Sequence, residues 1–125
     1  MSITDLLAHP LTRGMDLDDP ETTALRREII LSKPFLRKVY HEWYHLIDAA
    51  LPDSELPVLE LGAGGGFMTD VIDNVITTEV FEVPEIDRIM NACDMWPFED
   101  ESLRGVAMTN VFHHLPDVRT FLQEA

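Results

Sequence analysis

Gly62, Gly64 and Gly66 stand at alternate positions directly after the apolar run Val58-Leu59-Glu60-Leu61, and Glu79 follows the first of them by 17 residues. Glycines in this pattern make a tight turn whose backbone angles a side chain would oppose, and they let a ligand approach the bare chain. A helix starting after the loop is expected to aim its N-terminus at the negative end of that ligand. An acid at the end of the next strand accepts two hydrogen bonds from a vicinal diol, as on a ribose. The glycines alone would suit a tight strand-to-helix turn with no ligand. The buried strand before them and the acid after them favour a nucleoside site. The third glycine comes one residue too early for the G-x-G-x-x-G of nicotinamide and flavin sites. No Lys-Ser/Thr pair follows it, which excludes a phosphate-cradling P-loop.

Other groups also carry chemistry. His41-Glu42-Trp43-Tyr44-His45 matches H-E-x-x-H, a zinc hydrolase signature that requires a helix aiming both histidines into a cleft. On a helical wheel the apolar stripe centres on Val39, Tyr40 and Trp43, which puts His41 and His45 on nearly the opposite, solvated side, and no third ligand follows at a recognisable spacing. Chance is the better reading. His113 and His114 follow a later strand. His113 is the candidate general base, because imidazole titrates near neutrality. Without an assignable partner carboxylate, the two histidines suit a strand end or a site entrance equally well. Tyr40, Trp43 and Tyr44 at helical spacing read as core packing, with one edge available to a ligand.

Several elements must position these residues. Residues 1–18 read as a loosely structured arm. Asp19-Pro20-Glu21 starts a helix that runs to about Leu31, with an acid as cap and proline at the first helical position. After Ser32-Lys33-Pro34, the apolar stripe Phe35, Leu36, Val39, Tyr40, Trp43, Tyr44 and Ile47 predicts a second helix closed by Leu51-Pro52-Asp53. Strands are predicted at 58–61, 75–81, 87–92 and 105–111, with a short helix from Phe67 to about Asn74. A last helix, capped by Asp117, carries Val118, Phe121 and Leu122. Strands alternating with helices predict a parallel α/β sheet. Only five residues separate Phe81 from the third strand. A crossover helix needs a dozen or more, so the usual second helix is expected to be lost.

The formal charge is −14, and it is uneven: residues 51–125 carry 3 basic against 15 acidic side chains. Such a surface repels phosphate backbones, so no nucleic-acid partner is expected. Its main effect is solubility, although an acidic face also attracts cations. Cys93 is the sole cysteine, and no disulfide is possible within the chain. Together with an N-terminus lacking a basic start and a long apolar run, this predicts a cytoplasmic protein with no membrane association.

Three stretches in order carry a family resemblance. Val58 to Gly66 resembles the first motif of class I S-adenosylmethionine-dependent methyltransferases of the type 11 kind. Trp96-Pro97-Phe98-Glu99-Asp100-Glu101-Ser102-Leu103 resembles that family's L-P-F-x-D-x-S-F/L stretch, and Asn110 to Asp117 resembles the end of its fourth strand. The resemblance implies a partial Rossmann-like fold of about four parallel strands. Residues 1–55 would form an N-terminal helical cap and 56–125 a truncated cofactor-binding domain, since the chain ends inside the helix after the fourth strand and the family continues with three more. The cofactor implied is S-adenosylmethionine, with nucleophilic displacement at its methyl group by a small-molecule substrate. Glu60 would orient the loop and reach the methionine amino group, while Gly62, Ala63, Gly64 and Gly66 line the methionine part. Glu79 would hold the ribose, Val80 would pack on the adenine, and the Cys93-Asp94-Met95 turn would edge it. Asn110 would sit beneath the sulfonium. This sequence has Ala92-Cys93 where the family often has Asp-Ala, so Asp94 would reach the adenine amino group only through a bulge. An open fourth strand predicts a homo-oligomer through that sheet edge, and this chain alone is expected to be incomplete for catalysis. The alternative is a non-catalytic module of the same fold that binds cofactor or a partner.

Overall fold

A computed structural model describes residues 20–125. The proposed arm and the Asp19 cap lie outside the described residues. Helix α1 spans Pro20–Ser32 and helix α2 spans Pro34–Ala50, separated by Lys33 alone. Pro34 sits in the first turn of α2, where its missing N–H would have had no helical partner. At the other end, Leu51 turns extended and its N–H bonds back to Ile47 and Asp48, before Pro52 prevents continuation.

Four strands follow: β1 (Val58–Leu61), β2 (Val75–Glu79), β3 (Arg88–Ile89) and β4 (Gly105–Met108), then a helix, α3 (Val118–Glu124). The sheet order is β3-β2-β1-β4 and every pairing is parallel. β1 is central and buried along its whole length, as a strand covered on both faces must be. Its alternation divides the core. Val58 packs with Tyr44, Phe67, Met68, Ile72 and Ala107 on the face covered by α2. Leu59 and Leu61 pack on the other face with Met90, Ala92, Trp96 and Phe121, the last from α3. Asp117 caps α3 by accepting from the Thr120 N–H at 3.1 Å and the Thr120 hydroxyl at 2.7 Å. The result is a partial Rossmann-like α/β sheet. β4 pairs with no described strand on its outer side.

Several expectations are corrected. The helix predicted over 67–74 is only a 3₁₀ turn, Met68–Asp70. Residues 62–74 must hold both the glycine turn and the whole crossover to β2. Phe67, Met68 and Ile72 are drawn into the core, and Asn74 adopts a φ of 56° to enter β2. No α-helix therefore follows the loop to aim its N-terminus at a ligand. The strands are also shorter than predicted. β2 stops at Glu79, whose own Oε1 takes the Val80 N–H at 2.9 Å. β3 then has only Thr78 and Glu79 to pair with. β4 stops at Met108, level with Leu61, because the glycine turn leads β1 out of the sheet. The expected loss of the second helix is seen: residues 80–87 contain none. The Asp87 carboxylate closes this short connection instead, accepting from the N–H and the hydroxyl of Thr77, both at 2.8 Å. Arg27 of α1 grips the same connection through Glu85 at 2.9 Å.

The aromatic stripe is also rotated from the predicted one. Tyr44, fully buried, is its centre, whereas Trp43 is 40% exposed. Both faces of α2 shift accordingly. His41 becomes half-buried with its ring 5.2 Å from that of Phe67, while His45 stays exposed. Among the described residues, no group of three His, Cys, Asp or Glu side chains is placed to hold a metal ion. No helix there is long and apolar enough to cross a membrane.

Candidate functional site

The turn after β1 is built as its glycines require. Gly62 and Gly64 have φ of 62° and 32°, in the left-handed region that side chains oppose. A Cβ on Gly62 would also run into Val111, and one on Gly64 would lie 3.1 Å from Glu79 Oε2 and 3.2 Å from Thr23 Cγ2. Hydrogen bonds hold the turn in place: the Ala63 N–H donates to Thr78 at 2.9 Å, and the Gly66 N–H donates to Ala63 at 2.7 Å. The glycine turn and the Glu79 carboxylate thus share one site, meeting at Gly64.

That site is a cavity of about 540 Å³ at the carboxyl ends of β1, β2 and β4, within the range of small-molecule and cofactor pockets and at the edge where open parallel sheets bind ligands. Of the residues singled out in the sequence, Glu60, Gly62, Ala63, Gly64, Gly66, Glu79, Val80 and Asn110 line it. Cys93, Asp94 and Met95 do not. The wall there is Met90, Asn91 and Ala92, while Met95 projects into solvent at 86% exposure and the Cys93 thiol contacts the Asp117 carbonyl at 3.3 Å. The turn begins earlier than the motif spacing suggests because β3 is so short. His113 lies outside the wall and His114 within it, their rings 4.0 Å apart.

Sequence reasoning missed Thr23, Arg26 and Ile30, which α1 brings to the wall. Tyr40 and Tyr44 of α2 also line it, in keeping with an aromatic stripe that offers one edge to a ligand, whereas Trp43 does not. Tyr44 accepts the Phe67 N–H at 3.1 Å through its hydroxyl. Thr109, after β4, also lines the cavity, and its hydroxyl is the one buried side-chain polar atom without a hydrogen-bond partner among the described residues.

The electrostatics centre on two carboxylates. Glu60 is 3% exposed, on the β1 face turned toward α2. Burial first, and the like charge of Glu79 second, push its carboxyl up to about 7, with Arg27 acting in the opposite direction. Burial likewise raises the Tyr44 phenol. A cavity with one carboxylate at a diol-binding position and a second that prefers a nearby cation is matched to a cationic nucleoside. The residues present therefore fit S-adenosylmethionine, which class I methyltransferase domains generally bind.

Residues 59–125 match a family model described as a methyltransferase domain. Comparison with curated proteins and with solved structures returns no match. The match covers more than half of the chain and runs from β1 to α3, through the glycine turn, Glu79 and Asn110, and with the parallel α/β sheet described above it places the chain in its family: the chain belongs to the methyltransferase domain family.

Proposed function

We propose that this chain binds S-adenosylmethionine in the cavity beneath α1 and α2 and directs its methyl group to a small-molecule substrate. The observation that carries the reading is the meeting of Glu79 with the left-handed Gly64 across one open cavity. When bound, the cofactor supplies an electrophilic methyl group on a sulfonium.

The chain's own residues divide the remaining work. Glu79 accepts hydrogen bonds from the ribose hydroxyls. Val80 offers an apolar surface to the adenine, whose other edge meets Met90, Asn91 and Ala92. The turn from Gly62 to Gly66 admits the methionine part, and Glu60 holds its amino group. Because Glu60 titrates near neutrality, a bound ammonium draws it into the ionised state. Thr109 and Asn110 form the floor at the end of β4. A substrate enters beside Tyr40 and His114, and the main contribution to rate is holding its nucleophilic atom in line. Should the nucleophile need to lose a proton, His114 rather than His113 is the imidazole that reaches the cavity.

Calorimetry with S-adenosylhomocysteine tests this. Gly64→Arg places a long side chain against Glu79 and Thr23 at a strained φ. The unsubstituted chain should give saturable heat and the variant none. Equal binding by both, or none by the unsubstituted chain, removes the basis for the proposal. Saturable heat with no methyl transfer to any of a panel of small molecules would make the chain a binding module.

A further inference from the structure

The family match begins at residue 59, yet the hydroxyl that touches the glycine turn comes from α2, well before it. Tyr44 is fully buried, and its side chain makes three kinds of contact at once. Its oxygen accepts the Phe67 N–H at 3.1 Å, immediately after the last glycine of the turn. The same oxygen lies 2.7 Å from where a Cβ on Gly66 would stand, while Glu60 Oε1 lies 3.5 Å from that point. Its ring packs edge-on against Phe67 at 5.3 Å and against Tyr40 at 5.9 Å. Phe67 caps the start of the 3₁₀ turn Met68–Asp70, and an N–H at the start of a helical turn has no partner within it. A buried N–H with no partner is costly. In this chain a side chain from the N-terminal helices satisfies it.

We infer that Tyr44 is a positioning residue for cofactor binding: its hydroxyl latches the end of the glycine turn and holds Gly66 and Glu60 in the geometry that receives the methionine half of the ligand. The inference rests on the cofactor reading proposed above. The burial of the Phe67 N–H at the start of a helical turn explains why a latch is needed. The close approach at Gly66 explains why that position has no side chain. The latch meets the turn at Gly66, beside Glu60, whereas Glu79 meets it at Gly64, so its influence is selective. Losing the hydroxyl loosens the methionine end and leaves the nucleoside end intact.

The test compares two probes on two proteins. S-adenosylhomocysteine carries both halves of the ligand, and adenosine carries only the nucleoside half. Tyr44→Phe keeps the ring packing and removes the oxygen. The variant should bind S-adenosylhomocysteine about tenfold more weakly, as expected for one buried hydrogen bond, with adenosine affinity unchanged. A loss shared equally by both probes, or no loss for either, overturns the latch and leaves a purely structural tyrosine. Amide hydrogen exchange on the unsubstituted chain decides the matter even if the variant fails to fold. The Phe67 N–H should be protected before any ligand is added, and exchange at the rate of an open chain refutes the latch. Binding of neither probe by the unsubstituted chain, with Phe67 protected, instead locates the failure in the cofactor reading and overturns the inference that rests on it.

Discussion

Replacing Glu60 by glutamine should make the ligand-free protein more stable and the ligand-bound protein harder to form. Glu60 is buried at 3% exposure beside Glu79, and its carboxyl is pushed from an ordinary 4.5 up to about 7. The folded state therefore prefers the protonated acid. Between these two values folding takes up a proton, so this group's contribution to stability falls as pH rises. The penalty is absent below the unfolded pKa and complete above the folded one. At about 1.4 kcal/mol for each tenfold in acidity, the full penalty is about 3 kcal/mol. Glutamine carries no charge and escapes it. Thermal or urea denaturation of both proteins from pH 4.5 to pH 8.5 should show near-equal stability at the acid end. At the alkaline end the variant should lead by about 3 kcal/mol, or roughly ten degrees in midpoint for a domain of this size. S-adenosylhomocysteine should reverse the order, since its ammonium needs the carboxylate. A variant no more stable than the parent at pH 8.5, or one less stable at every pH, would show that Glu60 is not a desolvated acid facing a second carboxylate. The electrostatic part of the cofactor reading would then fall.

Two further outcomes concern the frame. Asp87 holds the β2–β3 connection, and the Thr77 N–H and hydroxyl lower its carboxyl below the ordinary range. Its contribution is present above the unfolded value and lost as pH falls through the folded one. Asp87→Ala should thus flatten the acid side of the stability profile and speed amide exchange at Thr77, and unchanged exchange would contradict this role. Arg104 precedes β4 and ties it to the end of α2, donating from Nε to the Pro52 carbonyl at 2.8 Å and lying 3.4 Å from Asp48. Arg104→Ala should cost about 1 to 2 kcal/mol in chemical denaturation, and a change within error would mean that the helix pair is held by its apolar contacts alone.

The parallel α/β sheet, its order of elements and most of one cavity wall were legible in the residues. Val58 to Gly66 carries a strand and a turn in nine adjacent positions, and Glu79 ends a β-branched run, so short-range patterns suffice for both. The second helix was legible from its stripe but its rotation was not, because Tyr40, Trp43 and Tyr44 are all aromatic and periodicity alone does not choose which one faces the sheet. The burial of Tyr44 depends on Phe67, which lies 23 positions away. The turn over residues 93–95 was misjudged for a related reason. The length of β3 is set by where β2 ends, and that depends on a contact between Glu79 and its neighbour's N–H.

The sequence by itself determined where the backbone must be bare, where acids meet strand ends and which family's order of motifs the chain follows, because these properties reside in single residues and their near neighbours. Only the tertiary structure decided that α1 supplies part of the cavity, that the Tyr44 hydroxyl is the partner of the Phe67 N–H, and that Glu60 loses its water beside Glu79. Desolvation and hydrogen-bond satisfaction are properties of what surrounds a group in space, and those surroundings come from residues far apart in the chain.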